Sequence, residues 1–203
     1  MQAQTLHFTP PDAAEETARA DLYGLLATLF CAPPSAALLT QIGAAPAGGE
    51  GVLDLAWAEL VTCCKVAGAE AVRDEYELLF LGVGKPEVML YGSYYLSGFL
   101  MEKPLAALRT DLAALGLERS AHIVESEDHI ASLCEVMRYL IVCNDPDLST
   151  LESQKKFFST HLQPWVDDLW LALEQHPACR FFLPVARLGR AFMAVEMQAF
   201  DMN

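Results

Sequence analysis

Apolar residues recur along this chain at i, i+3, i+4 and i+7, and no stretch sustains the alternation of a half-buried strand. Leu22, Leu25, Leu26 and Leu29 form the first such stripe, behind Asp12 as a candidate N-cap with Glu15 as its capping-box partner. Pro33 and Pro34 end that helix, and the loop 43–51 is rich in glycine and alanine. The pattern then predicts a helix from about Val52 to Ala67, an interruption near Gly68, and a helix from about Ala69 to Leu81 carrying Val72, Tyr76, Leu79 and Phe80 on one stripe. Gly82 suits the left-handed position past its end. A long connection over 82–92 holds Gly82, Gly84, Pro86 and Gly92, and loops of that length in compact domains are often functional.

A short helix with Tyr94, Tyr95 and Phe99 follows, and Pro104 opens another that stops at Gly116. The strongest periodic signal runs from Ser126 to about Cys143 through Ile130, Leu133, Cys134, Met137, Leu140 and Ile141. After Asp145 and Pro146, the stripe Phe158, Leu162, Trp165 and Leu169 keeps its period across Pro164, which predicts a kink near Gln163. The last helix is expected from about Ala178, with Phe181, Val185, Leu188, Phe192 and Val195 spaced as a bundle seam. The expected fold is all-α: a single-domain helical bundle over 13–203 behind a tail at 1–12, or two helical halves joined by a hinge.

Composition narrows the partners. A net charge of −14 removes the basic face that nucleic acid needs and favours a cationic partner; acidity that merely keeps a protein soluble is the competing explanation. The first residues lack a basic region followed by an apolar run, and no apolar stretch approaches the roughly 20 residues of a membrane span, so a cytoplasmic protein without stable membrane insertion is expected. The cysteines Cys31, Cys63, Cys64, Cys134, Cys143 and Cys179 form no CxxC pair and read as buried free thiols. His7, His122, His129, His161 and His176 show no metal-binding spacing, so neither a metal nor another cofactor is expected.

The segment Glu125-Ser126-Glu127-Asp128-His129 carries the most chemistry. At the start of a helix, with about 100° per residue, Asp128 falls opposite the apolar stripe and His129 at its edge, both reachable from solvent. Such a corner suits a ligand that is cationic at one end and apolar at the other. The structural reading is that Ser126 caps the helix and the acids favour its dipole. An enzyme is disfavoured: adjacent Asp128 and His129 diverge on a helix, and no Gly-x-Ser-x-Gly elbow is present. Gly82-Val83-Gly84-Lys85 lacks Walker spacing and reads as a turn. The aromatic residues Tyr76, Phe80, Tyr91, Tyr94, Tyr95 and Phe99 gather around the long connection, as core or as site.

In order, Glu75-Tyr76-x-x-Leu79-Phe80-x-Gly82, Tyr91-Gly92-Ser93-x-Tyr95, Glu127-Asp128-His129 and His161-Leu162-x-Pro164-Trp165 resemble the TorD/DmsD family, over about residues 15 to 200. The last two motifs favour this branch over the related chaperones of the NarJ type. The resemblance implies a chaperone, not an enzyme, that binds the twin-arginine leader of a molybdenum-cofactor oxidoreductase and holds its catalytic subunit until molybdopterin is inserted. A dimethyl sulfoxide, trimethylamine N-oxide or formate-type client fits. By position, Tyr76 and Phe80 line the groove, Tyr91, Gly92 and Ser93 shape its wall, Asp128 and His129 meet the arginine region or its neighbouring backbone, and Glu125 and Glu127 add negative potential. Ser126 stands where many members have proline, and the connection before Tyr91 lacks their proline-rich run. A mostly monomeric protein is expected, with exchange of halves through hinges at 43–51 and 116–125 as the alternative. A chaperone for a client without such a leader, or an acidic helical adaptor, are the other readings.

Overall fold

The structure, a computed structural model, describes residues 13–82, 85–120 and 124–202. The tail 1–12 with the expected cap Asp12, the histidines His7 and His122, and the Val83–Gly84 part of the glycine turn lie outside the described residues. Among the described residues there are ten α-helices and no strands: α1 (Ala13–Cys31), α2 (Ala36–Gly43), α3 (Val52–Val66), α4 (Ala69–Tyr76), α5 (Gly92–Ser97), α6 (Lys103–Ala114), α7 (Ile130–Val142), α8 (Leu151–His161), α9 (Val166–Gln175) and α10 (Phe182–Met202). No described helix is long and apolar enough to cross a membrane.

The core follows the apolar stripes. Helix α1 lies along α7, α10 packs against α3 and α9, and α2 rests on α3. Leu26, Leu29, Leu133, Met137, Leu140, Trp170, Leu188 and Phe192 are all buried between them. Residues 36–43, which the apolar pattern does not assign, form α2 because Ser35 caps it, its Oγ accepting the Leu38 N–H at 3.2 Å.

Several expectations change. The seam of α10 continues from Phe192 through Glu196 and Phe200 rather than Val195: Val195 is 46% exposed, while Glu196 is 1% exposed. Burial of that carboxylate is met by partners from α1. Arg19 donates Nε and Nη2 to it at 2.7 and 2.8 Å, and Tyr23 donates its hydroxyl at 2.9 Å; a buried charge is retained only when so answered. Pro164 breaks the helix rather than kinking it. Helix α8 stops at His161, and Trp165 leaves helical geometry at φ −141° before α9 starts. Proline has no N–H to continue the ladder, and the indole of Trp165 instead donates to the His161 carbonyl at 2.7 Å. The thiols divide: Cys64, Cys134 and Cys179 are buried, Cys63 and Cys143 partly so, but Cys31 is exposed at the end of α1.

Helix α10 begins at Phe182, not near Ala178, because its free amides are claimed from another element. The Glu75 carboxylate accepts the N–H groups of Arg180, Phe181 and Phe182 at 2.8, 2.9 and 2.9 Å. Next to it the Tyr76 hydroxyl donates to the Phe30 carbonyl at 3.0 Å, and Phe30, Tyr76, Phe80 and Phe182 meet edge-on or tilted, 4.9–5.9 Å apart. Helix α4 then widens into a π-helical turn over Glu77–Leu81, closed by Gly82 donating to Glu77. Gly82 sits at φ +26° with its α-carbon face against the Lys85 carbonyl, where a Cβ would be 2.6 Å away.

Candidate functional site

The segment 125–129 is a turn before α7, not its first helical turn. His129, rather than Ser126, is the N-cap: its Nδ1 accepts the Ala131 N–H at 3.1 Å. The helical-wheel placement of Asp128 therefore fails. Asp128 and His129 are each 4% exposed. What holds them is the connection from α4. Gly92 donates to the Asp128 carbonyl at 2.9 Å and Ile130 to the Leu90 carbonyl at 2.8 Å, an isolated antiparallel bridge between Tyr91 and His129.

Around that bridge the side chains lock. One Asp128 oxygen accepts the Ser93 N–H at 2.9 Å, and the other accepts the Ser126 hydroxyl. The Tyr91 ring meets the His129 ring edge-on at 5.1 Å, and the Tyr91 hydroxyl donates to Glu125. Burial pushes the Tyr91 phenol upward, and the Glu125 carboxylate adds to it. Burial also pushes the His129 imidazole down to about 4, against the upward pull of Glu125 and Asp128. Near neutral pH the ring is thus neutral, with its proton on Nε2 because Nδ1 is an acceptor.

The histidine–tryptophan motif explains why the connection sits here. His161 pairs through Nε2 with Asp111 of α6 at 2.8 Å. Trp165 stacks on Tyr95 at 5.4 Å and lies beneath Gly92, where a Cβ would come within 2.9 Å of the indole nitrogen. Any side chain at 92 would push the 90–92 segment off the bridge.

Of the nine sequence candidates, Glu125, Glu127 and His129 reach a common opening: a groove of about 580 Å³ between α1 and α7. Its floor is Ala27, Cys31, Leu112, Leu117, Ala131 and Val136, and its rim carries Glu118, Glu125, Glu127 and Glu135 beside Tyr139. Tyr76 and Phe80 do not line this groove, being 4% and 6% exposed within the aromatic cluster described above. Tyr91 acts from behind by holding Glu125. Gly92, Ser93 and Asp128 instead border a small cavity of about 90 Å³ over Trp165. The Ser93 hydroxyl is buried with no hydrogen-bond partner among the described residues.

Sequence reasoning did not reach Glu118, Glu135, Arg109 or Arg119. Ser132, Glu135, Val136 and Tyr139 do repeat at helical spacing beside the buried stripe of α7, and that was the available signal. The arginines had none, since they approach from 109 and 119. Arg109 Nη2 lies 2.8 Å from one Glu127 oxygen, and Arg119 Nε lies 3.8 Å from the other. The Arg109 hydrogen bond is the chief reason that the Glu127 carboxyl is held below its ordinary value.

These features define a helical protein with an acid-rimmed apolar groove. The family model described as nitrate reductase delta subunit matches residues 50–170, and the chain belongs to this family, the TorD family. Chaperone protein TorD from three strains of Vibrio cholerae is 28% identical over 130 residues, covering 61% of this chain. The chain spans 59% of the length of those curated relatives. A crystal structure assigned as a redox enzyme maturation protein from Archaeoglobus fulgidus shares the fold, with a TM-score of 0.54 and 19% identity over 95% of this chain and 98% of that one. The relatives are named as chaperones.

Proposed function

We propose that this chain works in the cytoplasm as a maturation chaperone, and that it seats the twin-arginine leader of a molybdenum-cofactor oxidoreductase in the groove between α1 and α7. One observation supports this most: the groove joins an apolar floor to a rim of four glutamates, Glu118, Glu125, Glu127 and Glu135. A leader with two arginines before an apolar stretch is complementary to both parts. Guanidinium groups bind carboxylates through paired hydrogen bonds, and apolar peptide segments settle in apolar grooves. Holding the leader would keep the catalytic subunit from export until molybdopterin is inserted.

The test is calorimetric titration of the full chain with a leader peptide carrying an arginine pair and its apolar stretch. Two control peptides carry a lysine pair, or serines in place of the apolar residues. Both controls are expected to bind more weakly. The Glu125→Gln variant, which keeps an acceptor for Tyr91, is expected to lose affinity by about threefold and to flatten the salt dependence. Equal affinity for all three peptides, or none for any, would remove the leader as the groove's occupant.

A further inference from the structure

The groove has two unlike ends, because α1 and α7 run antiparallel along it. The Arg138 side chain of α7 lies over Gly24 of α1, its Cδ 3.1 Å from where a Cβ would stand. About two turns further along α1, Cys31 shares the surroundings of Glu125: the Tyr76 phenol, raised chiefly by burial, is raised further by both. The mouth is therefore where the end of α1 meets the 125–129 turn, and the far end is at Tyr139, beside the Arg138 crossing. Groove-lining residues of α7 run from Ala131 to Tyr139, about 12 Å at the rise of a helix. Charge is uneven along this axis. At the mouth, Glu118, Glu125 and Glu127, with Asp128 buried behind them, stand against Arg109 and Arg119. At the far end, Glu135 is matched by Arg138 at 2.9 Å. The acid excess lies at the mouth alone.

Resting on the leader reading, we infer that the groove is directional and reads a fixed length: the leader lies parallel to α7, with its arginine pair at the mouth and about two helical turns of the following apolar stretch on the floor. Laid the other way, the pair would meet Arg138 and a carboxylate that Arg138 already matches, and the apolar stretch would run out across the acid turn. A helix seated in a groove anchors through positions i, i+3, i+4 and i+7, a span equal to the floor between Ala131 and Tyr139. Apolar residues beyond the second turn pass Tyr139 and leave the groove, so their identity contributes little. The chain thus tells clients apart by the residues nearest the arginine pair, not by the hydrophobicity of the whole stretch. Val136 and Tyr139, at the end of the floor, set the length that is read.

The exposed thiol of Cys31 lines the mouth and reports the register directly. Arginine-pair leaders carry a cysteine, activated as its pyridyl disulfide, either next after the pair or about eight residues further on. Each is mixed with the full chain carrying Cys63→Ser and Cys143→Ser, and with the same chain carrying Cys31→Ser and Tyr139→Cys as well. Trapping is read by release of thiopyridone. Cys31 is expected to trap the near cysteine about tenfold faster than the far one, and the Tyr139→Cys chain to show the reverse order. The opposite orders, or equal rates, overturn the direction and leave the leader reading standing. In calorimetric titration of the natural chain, serines replacing the apolar residues of the first two turns should weaken binding by about tenfold or more, and serines further on by less than about twofold. Equal losses overturn the fixed length. Calorimetric binding without trapping by either thiol above that of a scrambled peptide removes the groove as the seat, and no binding at all removes the leader; either result overturns the inference together with the reading on which it rests.

Discussion

Glu75 and Asp128 are both acids in motifs that resemble the same family, and both answer backbone N–H groups of a distant segment. Their surroundings separate them. Glu75 takes three amides at the start of α10 and sits against the Phe30–Tyr76–Phe80–Phe182 cluster, a closed junction. Asp128 takes the Ser93 amide and the Ser126 hydroxyl, and the residues on either side, Glu127 and His129, open onto the groove. A motif acid can therefore be wholly architectural, or it can be the clasp that presents its neighbours.

The largest effect that would break this comparison is at Asp128. Asp128→Ala strands a buried amide and a hydroxyl, and is expected to cost about 2–4 kcal/mol in chemical denaturation. Leader binding should fall with it through disorder of the 125–129 turn. A variant of full stability and weakened binding would instead make Asp128 a direct contact. Glu75→Ala is expected to cost about 2 kcal/mol through loss of the α10 cap, while leader affinity measured on the folded protein stays unchanged. A matching loss of affinity would show that the closed junction and the groove are coupled.

Protonation of His129 sharpens the contrast, since only the clasp carries a buried imidazole. Its folded value of about 4 lies below the ordinary 6.5, so the unfolded chain binds the extra proton between them. The associated stability, about 3 kcal/mol, is fully present above pH 6.5 and is lost as pH falls toward 4. His129→Asn keeps an N-cap acceptor and should flatten the stability profile in that window; an unchanged slope would assign it to other groups. The smallest effect is expected at Ser93. Its hydroxyl has no partner among the described residues, so Ser93→Ala should change stability by less than about 1 kcal/mol in either direction. A larger loss would point to a bound water or ligand group in the small cavity beside Trp165.

Legibility in the sequence differed between the two regions for a physical reason. The closed junction is built largely of apolar residues on helical stripes, and Val72, Tyr76, Leu79 and Phe80 were legible as one stripe. Their role as core rather than groove was not, because a stripe does not say what covers it. At the clasp, the residue types were legible but their conformation was not. Glu125 to His129 carry helix-start chemistry, yet the segment pairs with 90–92 through Gly92 and Ile130 amides, a contact between residues far apart in the chain. Pro164 misled for a related reason: the apolar period survives a break when both helices pack on the same core.

The sequence by itself determined most of the helices, their apolar faces and the acidity that calls for a cationic partner, because these depend on local spacing and summed charge. The tertiary structure alone decided which acids stand on a groove, which are buried behind it, and which already hold an arginine. Those outcomes depend on elements meeting across the chain: α1 against α7 to make the floor, and Arg109 and Arg119 against Glu127 to set its charge.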